Sequence, residues 1–94
     1  MLSNDKKKKL RSIAHDEKPL ILVGKQGITD TLLESFEISL ISHNLVKISI
    51  LKTSPTTIDE LKKVLVEQFS CEVVSSVGRV LVVYRYHKDG RIKV

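Results

Sequence analysis

Several residue types that mark other classes of protein are scarce in this chain of 94 residues. It has no tryptophan, two tyrosines, two phenylalanines and a single cysteine, Cys71. One cysteine excludes an internal disulfide and a metal site built on several thiolates. No apolar run approaches the roughly 20 residues that a membrane-spanning helix needs, and the lysine-rich start lacks the apolar run of a signal peptide. We therefore expect a soluble protein of the reducing cytoplasm, with no membrane partner.

Side chains that could catalyse a reaction or hold a metal also lack the necessary spacing. His15, His43 and His87 are scattered, with no cysteine or carboxylate at ligand spacing. The first two fit the C-termini of predicted helices better than a metal site. Ser75-Ser76 has no histidine and aspartate in a recognisable catalytic order. We expect neither an enzyme nor a cofactor, and no small-molecule substrate.

Positive charge is in excess and concentrated at the two ends of the chain. Sixteen lysines and arginines face eleven aspartates and glutamates, which gives a formal net charge of +5. The basic residues crowd positions 1–18 and recur from Arg79 onward, whereas the middle helices are near-neutral or acidic. Such a balance favours an anionic partner, most simply nucleic acid. If the fold joins the two ends, they form one patch; charge that serves only solubility is the alternative.

The order of predicted elements is α-β-α-β-α-β-β. Hydrophobic periodicity predicts helices near 3–17, 30–43 and 58–69, and strands near 20–23, 45–51, 71–77 and 80–84. Ser3, Thr29 and Thr57 are predicted N-caps, and Thr57 with Glu60 forms a capping box. This order predicts a single α/β domain with a four-stranded mixed sheet that ends in a hairpin. Whether the first helix contacts the sheet is left open.

The stretch around Gly24-Lys25-Gln26-Gly27 is the most informative part of the chain. The preceding strand, 20–23, is continuously apolar, which predicts burial on both faces. Both glycines permit a positive φ. The helix that follows points unpaired N–H groups at the loop, where Lys25 adds a full positive charge. The dinucleotide and phosphate-loop motifs are absent, so a nucleic-acid backbone fits better than a free nucleotide. A tight strand-to-helix turn is an equally good interpretation of two glycines alone.

Basic residues elsewhere are further candidates for contact with RNA. Arg79 lies in the predicted Gly-Arg turn of the hairpin, and Arg85 lies between Tyr84 and Tyr86, where a basic and aromatic cluster could stack on RNA. The alternatives are a tolerated turn residue and a strand end whose charge reaches solvent. The first helix and the residues after it supply Lys7, Lys8, Arg11 and Lys18, which could equally form a solvated helix face.

Three segments together resemble a known family. They are Leu10-Arg11-Ser12-Ile13-Ala14-His15 leading into Lys18-Pro19, then Leu22-Val23-Gly24-Lys25-Gln26-Gly27-Ile28-Thr29, and last Val77-Gly78-Arg79-Val80 with Tyr84-Arg85. Residues 2–85 resemble the CRM domain, the chloroplast RNA splicing and ribosome maturation domain. The resemblance is closest to its stand-alone form, the YhbY-type RNA-binding proteins.

The resemblance implies a fold similar to the C-terminal domain of bacterial initiation factor three. It also implies binding of structured RNA, as a non-catalytic protein on ribosomal RNA in precursors of the large ribosomal subunit. The implied RNA contact is Gly24, Lys25, Gln26 and Gly27, supported by the first helix. The neutral Ser39, Ser42 and Asn44, and the charged tail 87–94 after the domain 1–86, depart from the family. A protein-interaction module and a non-specific nucleic-acid-binding domain remain alternatives.

Overall fold

Three helices and four strands alternate along residues 2–87, the part of the chain that the computed structural model describes. They are α1 (Asn4–His15), β1 (Ile21–Val23), α2 (Asp30–His43), β2 (Leu45–Ile50), α3 (Ile58–Phe69), β3 (Glu72–Val77) and β4 (Val80–Tyr84). The predicted order is confirmed. The expected charged tail lies outside the described residues, apart from His87. No helix within 2–87 is long and apolar enough to cross a membrane.

The strands form one mixed sheet in the order β1-β2-β4-β3. β1 pairs in parallel with β2, and β4 pairs antiparallel with both β2 and β3. Among the described strands, β4 is the last along the chain and therefore lies inside the sheet, while β1 and β3 form its edges. The predicted four-stranded mixed sheet is confirmed.

Two hydrophobic cores lie on opposite faces of the sheet. Under α2 and α3, Phe36, Leu40, Leu61 and Leu65 pack on the side chains of alternate strand residues such as Ile48. The rings of Phe36 and Phe69 join the two helices edge to face, with centroids 5.0 Å apart.

The second core settles the question of the first helix. Its Leu10 and Ala14 pack against sheet residues that include Val74, Val82 and Tyr84. Within residues 2–87 the domain thus has three layers, and α1 is the one helix on its face of the sheet.

The helix ends follow the predicted capping residues. Thr57 Oγ1 accepts a hydrogen bond from the Glu60 N–H at 3.1 Å, and Thr29 Oγ1 accepts one from the Leu32 N–H at 3.1 Å. Asn44, the C-cap of α2, has φ = +64° and is fully buried. A side-chain oxygen at each N-cap satisfies an otherwise unpaired backbone donor, so these residues set where the helices begin.

The prediction that the first strand is buried on both faces was wrong for Leu22. β1 spans only Ile21–Val23, and Leu22 is 56% exposed although both neighbours are buried. An apolar run predicts burial on both faces when a strand lies inside a sheet, but β1 is an edge strand that α1 does not cover.

Candidate nucleic-acid interface

Three connections meet at one end of the sheet. β1 and β2 are parallel and end together, and the turn between β3 and β4 reaches the same end. The Leu51 N–H donates to the Val23 carbonyl at 2.9 Å, and the Ile50 N–H donates to the Arg79 carbonyl at 2.8 Å. We call residues 24–27, 51–57 and 78–79 the loop end. The fold therefore brings the glycine loop and Arg79 together, although they are more than 50 positions apart in the chain.

The two glycines of the 24–27 loop have different roles. Gly27 has φ = +69° and is buried, and a Cβ on it would lie 2.9 Å from Thr56 Oγ1. Gly24 is not among the glycines of positive φ, and a Cβ there would make only ordinary contact with Leu51. The expectation of a positive φ thus holds for Gly27 alone. Gly27 shapes the loop from inside the protein, which leaves Lys25 and Gln26 as its exposed tip.

Positive charge at the loop end comes from more than the glycine loop. Lys25 and Arg79 are exposed, and one Arg79 nitrogen lies 3.4 Å from the Leu51 carbonyl. Lys52 is also exposed, just past β2. Sequence reasoning missed Lys52, although adjacent parallel strands end at the same edge, so residues after β1 and β2 are neighbours. The loop end therefore carries three exposed cations, with Lys25 in the tip of the glycine loop and Lys52 and Arg79 in the two neighbouring connections.

Carboxylates at the same end limit where an anion would bind. Asp30 lies in the first turn of α2, and Asp59 and Glu60 lie in the first turn of α3. They complement the partial positive charge of the helix N-termini, and so reduce the attraction of those termini for another anion. All three lie on the α2 and α3 side of the sheet. The α1 side of the loop end is therefore the better surface for phosphate.

The basic residues of α1 are divided between two places. Arg11 extends along β3, with a nitrogen 3.5 Å from the Val74 carbonyl, and Lys8 is exposed one turn before it. Lys7 lies near the opposite end of the sheet, beside Glu72. The pKa of Glu72 is lowered, chiefly by hydrogen bonds from the Leu2 N–H and in smaller part by positive charge that includes Lys7. Arg11 thus lies closer to the loop end than Lys7 does, and Lys8, three residues before Arg11, is on the same side of the helix as Arg11.

Lys47 connects the sheet to the C-terminus of α1. Its ammonium group donates to the carbonyls of Ala14 and Glu17, both at 3.2 Å. A cation that bonds the last carbonyls of a helix is favoured by the helix dipole. Lys47 therefore fixes the end of α1. Lys18 follows as an exposed cation.

Arg85 is engaged within the fold and lies at the other end of the sheet. Its guanidinium contacts both carboxylate oxygens of Glu37, at 2.8 and 3.1 Å, and donates to the Phe69 carbonyl at 3.0 Å. Only 22% of its side chain is exposed. It joins β4 to α2 and α3, and its positive charge is paired with the carboxylate of Glu37. Arg85 therefore lies outside the candidate interface.

The sheet separates charge of opposite sign. α1 carries Lys6, Lys7, Lys8, Lys9 and Arg11 against Asp5. On the other face, α2 contains no lysine or arginine and has three carboxylates, and the three carboxylates of α3 exceed its two lysines. The predicted concentration of basic charge is thus placed on one face by the packing of α1. A polyanion is attracted to that face and to the adjoining side of the loop end.

Comparisons with known proteins show relatives that match nearly the whole chain. The chain is 29% identical over 91 residues to "Probable RNA-binding protein YqeI" of Bacillus subtilis, which covers 97% of this chain and 95% of that protein. It is 27% identical over 93 residues to an "RNA-binding protein" of Haemophilus influenzae, with 99% and 94% covered. It is 31% identical over 84 residues to a "Probable RNA-binding protein" of Pseudomonas aeruginosa, with 89% and 81% covered.

The fold also matches a solved structure, the solution structure of hypothetical protein SAV1595 from Staphylococcus aureus. The TM-score is 0.73 at 30% sequence identity, over 94% of this chain and 92% of that one. The sequence profile of the CRS1/YhbY (CRM) domain matches residues 2–85, nearly the whole chain. The chain therefore belongs to the CRS1/YhbY (CRM) domain family.

Proposed function

We propose that this protein binds structured RNA without catalysing a reaction, and that its RNA is ribosomal RNA in precursors of the large ribosomal subunit in the cytoplasm. The observation that carries the proposal is the separation of charge by the sheet. Exposed cations occupy the loop end and the α1 face, whereas the α2 and α3 face is acidic. The names of the relatives support an RNA partner. The ribosomal target follows from the family resemblance.

The proposed mechanism is stoichiometric binding. Lys25, Gln26, Lys52 and Arg79 contact backbone phosphates from the loop end, while Lys8 and Arg11 contact a neighbouring part of the same RNA. Gly24 and Gly27 hold the loop tip in place, and Lys7 and Lys18 extend the basic surface. Phosphate contacts of this kind fix position and orientation and carry little sequence information. Bound in this way, the protein shields or steadies its RNA site until maturation proceeds.

Sedimentation of cell extracts tests the proposal. Tagged protein should travel with precursors of the large subunit in a sucrose gradient, and ultraviolet crosslinking should recover ribosomal RNA. A Lys8→Gln, Arg11→Gln variant should move to the top of the gradient. A Lys62→Gln, Lys63→Gln variant removes the same charge from α3 and should still sediment with particles. Equal sedimentation of all three proteins would contradict the proposed surface, and recovery of other RNA alone would contradict the ribosomal target.

A further inference from the structure

One row of residues crosses the entire sheet on the α1 side without being covered by α1. The strand register joins Leu22 to Ser49, Ser49 to Val80, and Val80 to Val77. Their immediate neighbours in β2 and β4, such as Ile48 and Leu81, point into the core under α2 and α3. Because side chains alternate along a strand, this row faces the other way. We call these four residues the open row.

The open row lies next to the loop end and remains accessible. α1 packs over the part of this face that holds Val74, Val82 and Tyr84. At the two edges of the sheet, Leu22 is 56% exposed and Val77 is 72% exposed. The row spans three strand spacings, roughly 14 Å at about 4.8 Å each. The open row is therefore an accessible surface with an apolar side chain at each end, and it lies beside the cations of the loop end.

A groove separates the open row from α1, and its walls are cationic. The groove has a volume of about 310 Å³, with Val77 and Val80 on the sheet side and Arg11, His15 and Lys47 as its basic residues. No carboxylate is among the residues that line it. Lys8, Arg11 and His15 follow one another along α1 at spacings that place them on one side of the helix. Lys25 and Arg79 supply positive charge at the loop end of the same region.

We propose that the open row takes unpaired nucleotides of the bound RNA, with bases and riboses against its apolar side chains. This inference rests on the proposed function and adds which form of RNA the protein prefers. A duplex presents phosphate and sugar at its surface and keeps its bases inside, so its bases cannot contact an apolar protein surface. An unpaired segment exposes its bases, and its phosphates match the cationic walls. The same charge makes an apolar protein segment or a second copy of this basic chain a poorer occupant.

Two RNA probes and matched variants test the proposal. One probe is a hairpin with an unpaired loop of seven nucleotides, and the other has the same stem as a continuous duplex. Val77→Glu should weaken binding of the looped probe about tenfold, within the range found for loss of a base contact. Ile38→Glu adds the same charge at a 65% exposed site on α2. It should change affinity for either probe less than about twofold, because a distant exposed charge is screened.

A second substitution at the same position separates apolar contact from charge. Val77→Thr keeps the shape and the charge, and it should still weaken the looped probe more than the duplex. Both Val77 variants should melt close to the wild type by circular dichroism, because the side chain is largely outside the fold. The Lys8→Gln, Arg11→Gln variant should weaken both probes.

The outcomes distinguish this inference from the proposed function. If the α1 variant weakens both probes while Val77→Glu behaves as Ile38→Glu does, the open row takes no nucleotides, and RNA binding stands. If the wild type binds neither probe, both proposals fail. A wild-type dimer in sedimentation equilibrium that Val77→Glu converts to monomer, with RNA affinity unchanged, would assign the row to self-association and overturn the inference.

Discussion

Gly27 and Thr56 lie so close that no other residue fits at position 27 without movement. A Cβ on Gly27 would lie 2.9 Å from Thr56 Oγ1, and the backbone there has φ = +69°. The contact joins the 24–27 loop to the 51–57 connection. Gly27 therefore serves the internal structure of the loop end, while the exposed chemistry belongs to its neighbours.

Gly27→Ala should lower the free energy of unfolding by about 1–2 kcal/mol from the left-handed backbone alone, and by more from the contact with Thr56. Gly24→Ala should change it by less than about 0.5 kcal/mol, because its Cβ would meet only Leu51 at 3.9 Å. Urea titrations of both variants measure the difference.

A Thr56→Ala background isolates the part of the Gly27→Ala destabilisation that comes from steric contact. Removing Oγ1 should make Gly27→Ala less destabilising than it is in the wild type. If Gly24→Ala and Gly27→Ala lower the free energy of unfolding equally in both backgrounds, Gly27 is not packed against Thr56. Because substitution of Gly27 affects stability, changes at Lys25 are the cleaner test of RNA binding.

Local sequence signals predicted the elements well. The capping box at Thr57 and Glu60 predicted the start of α3, and its end at Phe69 agrees with the predicted range of 58–69. The Gly-Arg turn is confirmed, with φ = +58° at Gly78 and a φ outside the positive region at Arg79, as a type II′ turn requires. These signals act within a few residues, so they can be interpreted without knowledge of the fold.

Features that depend on distant partners were not predictable. The exposure of Leu22 follows from the edge position of β1 and from the place where α1 crosses the sheet. Arg85 and its partner Glu37 are 48 positions apart, and no local signal joins them. The position of Lys52 beside the glycine loop could have been predicted, because parallel strands bring the residues after β1 and β2 together. For the candidate site, the sequence thus indicated the glycine loop, and the topology selected which cations accompany it.

The contact of Arg85 with Glu37 should matter for stability and not for RNA. Arg85→Met removes hydrogen bonds to both Glu37 oxygens and to the Phe69 carbonyl. Since the pair is partly exposed, we expect a loss of about 1–2 kcal/mol in the free energy of unfolding. RNA affinity should stay within about twofold of the wild type. Chemical denaturation and fluorescence anisotropy on the same samples measure both quantities.

Glu37→Gln provides the control for that prediction. In a double-mutant cycle, the two substitutions together should cost less than the sum of the single ones, because they remove the same contact. A loss of RNA binding in the folded Arg85→Met variant would show that Arg85 belongs to the RNA-binding surface.

Cys71 should be unreactive in the native protein. Burial raises the pKa of its thiol to about 11, and the thiol lies 3.4 Å from the Leu65 carbonyl. At pH 8 the native thiol is therefore protonated, and a thiolate-selective reagent such as DTNB should label it only as the chain unfolds. Rapid labelling in the absence of denaturant would contradict the burial of Cys71.

The same shift predicts a dependence of stability on pH. The unfolded thiol has an ordinary pKa near 9.0, so between about pH 9 and 11 the unfolded chain releases a proton that the native state keeps. The contribution to stability is complete below that window and is lost as the pH rises through it. Cys71→Ala should flatten this part of the stability curve, although lysines and tyrosines also titrate there. Identical curves for wild type and variant would show that Cys71 does not contribute.

The salt dependence of RNA affinity gives the most direct measure of phosphate contacts at the loop end. If Lys25 contacts a phosphate, Lys25→Ala should weaken binding to all RNA sequences alike. It should also reduce the slope of log K against log salt by roughly 0.7–0.9, the change expected for one lost phosphate contact. Wild-type protein that uses about four such contacts should show a slope of roughly −3 to −4.

Lys63→Ala is the matched control, since it removes one exposed lysine from the acidic α2 and α3 face. It should leave the slope unchanged and lower the affinity only slightly. Anisotropy titrations between about 50 and 200 mM salt, the range over which phosphate contacts have their strongest effect, determine the three slopes. Equal slopes for wild type and Lys25→Ala would mean that the exposed lysine of the glycine loop does not contact RNA. The 24–27 loop would then be a structural turn, and Lys52, Arg79 and the cations of α1 would account for RNA binding.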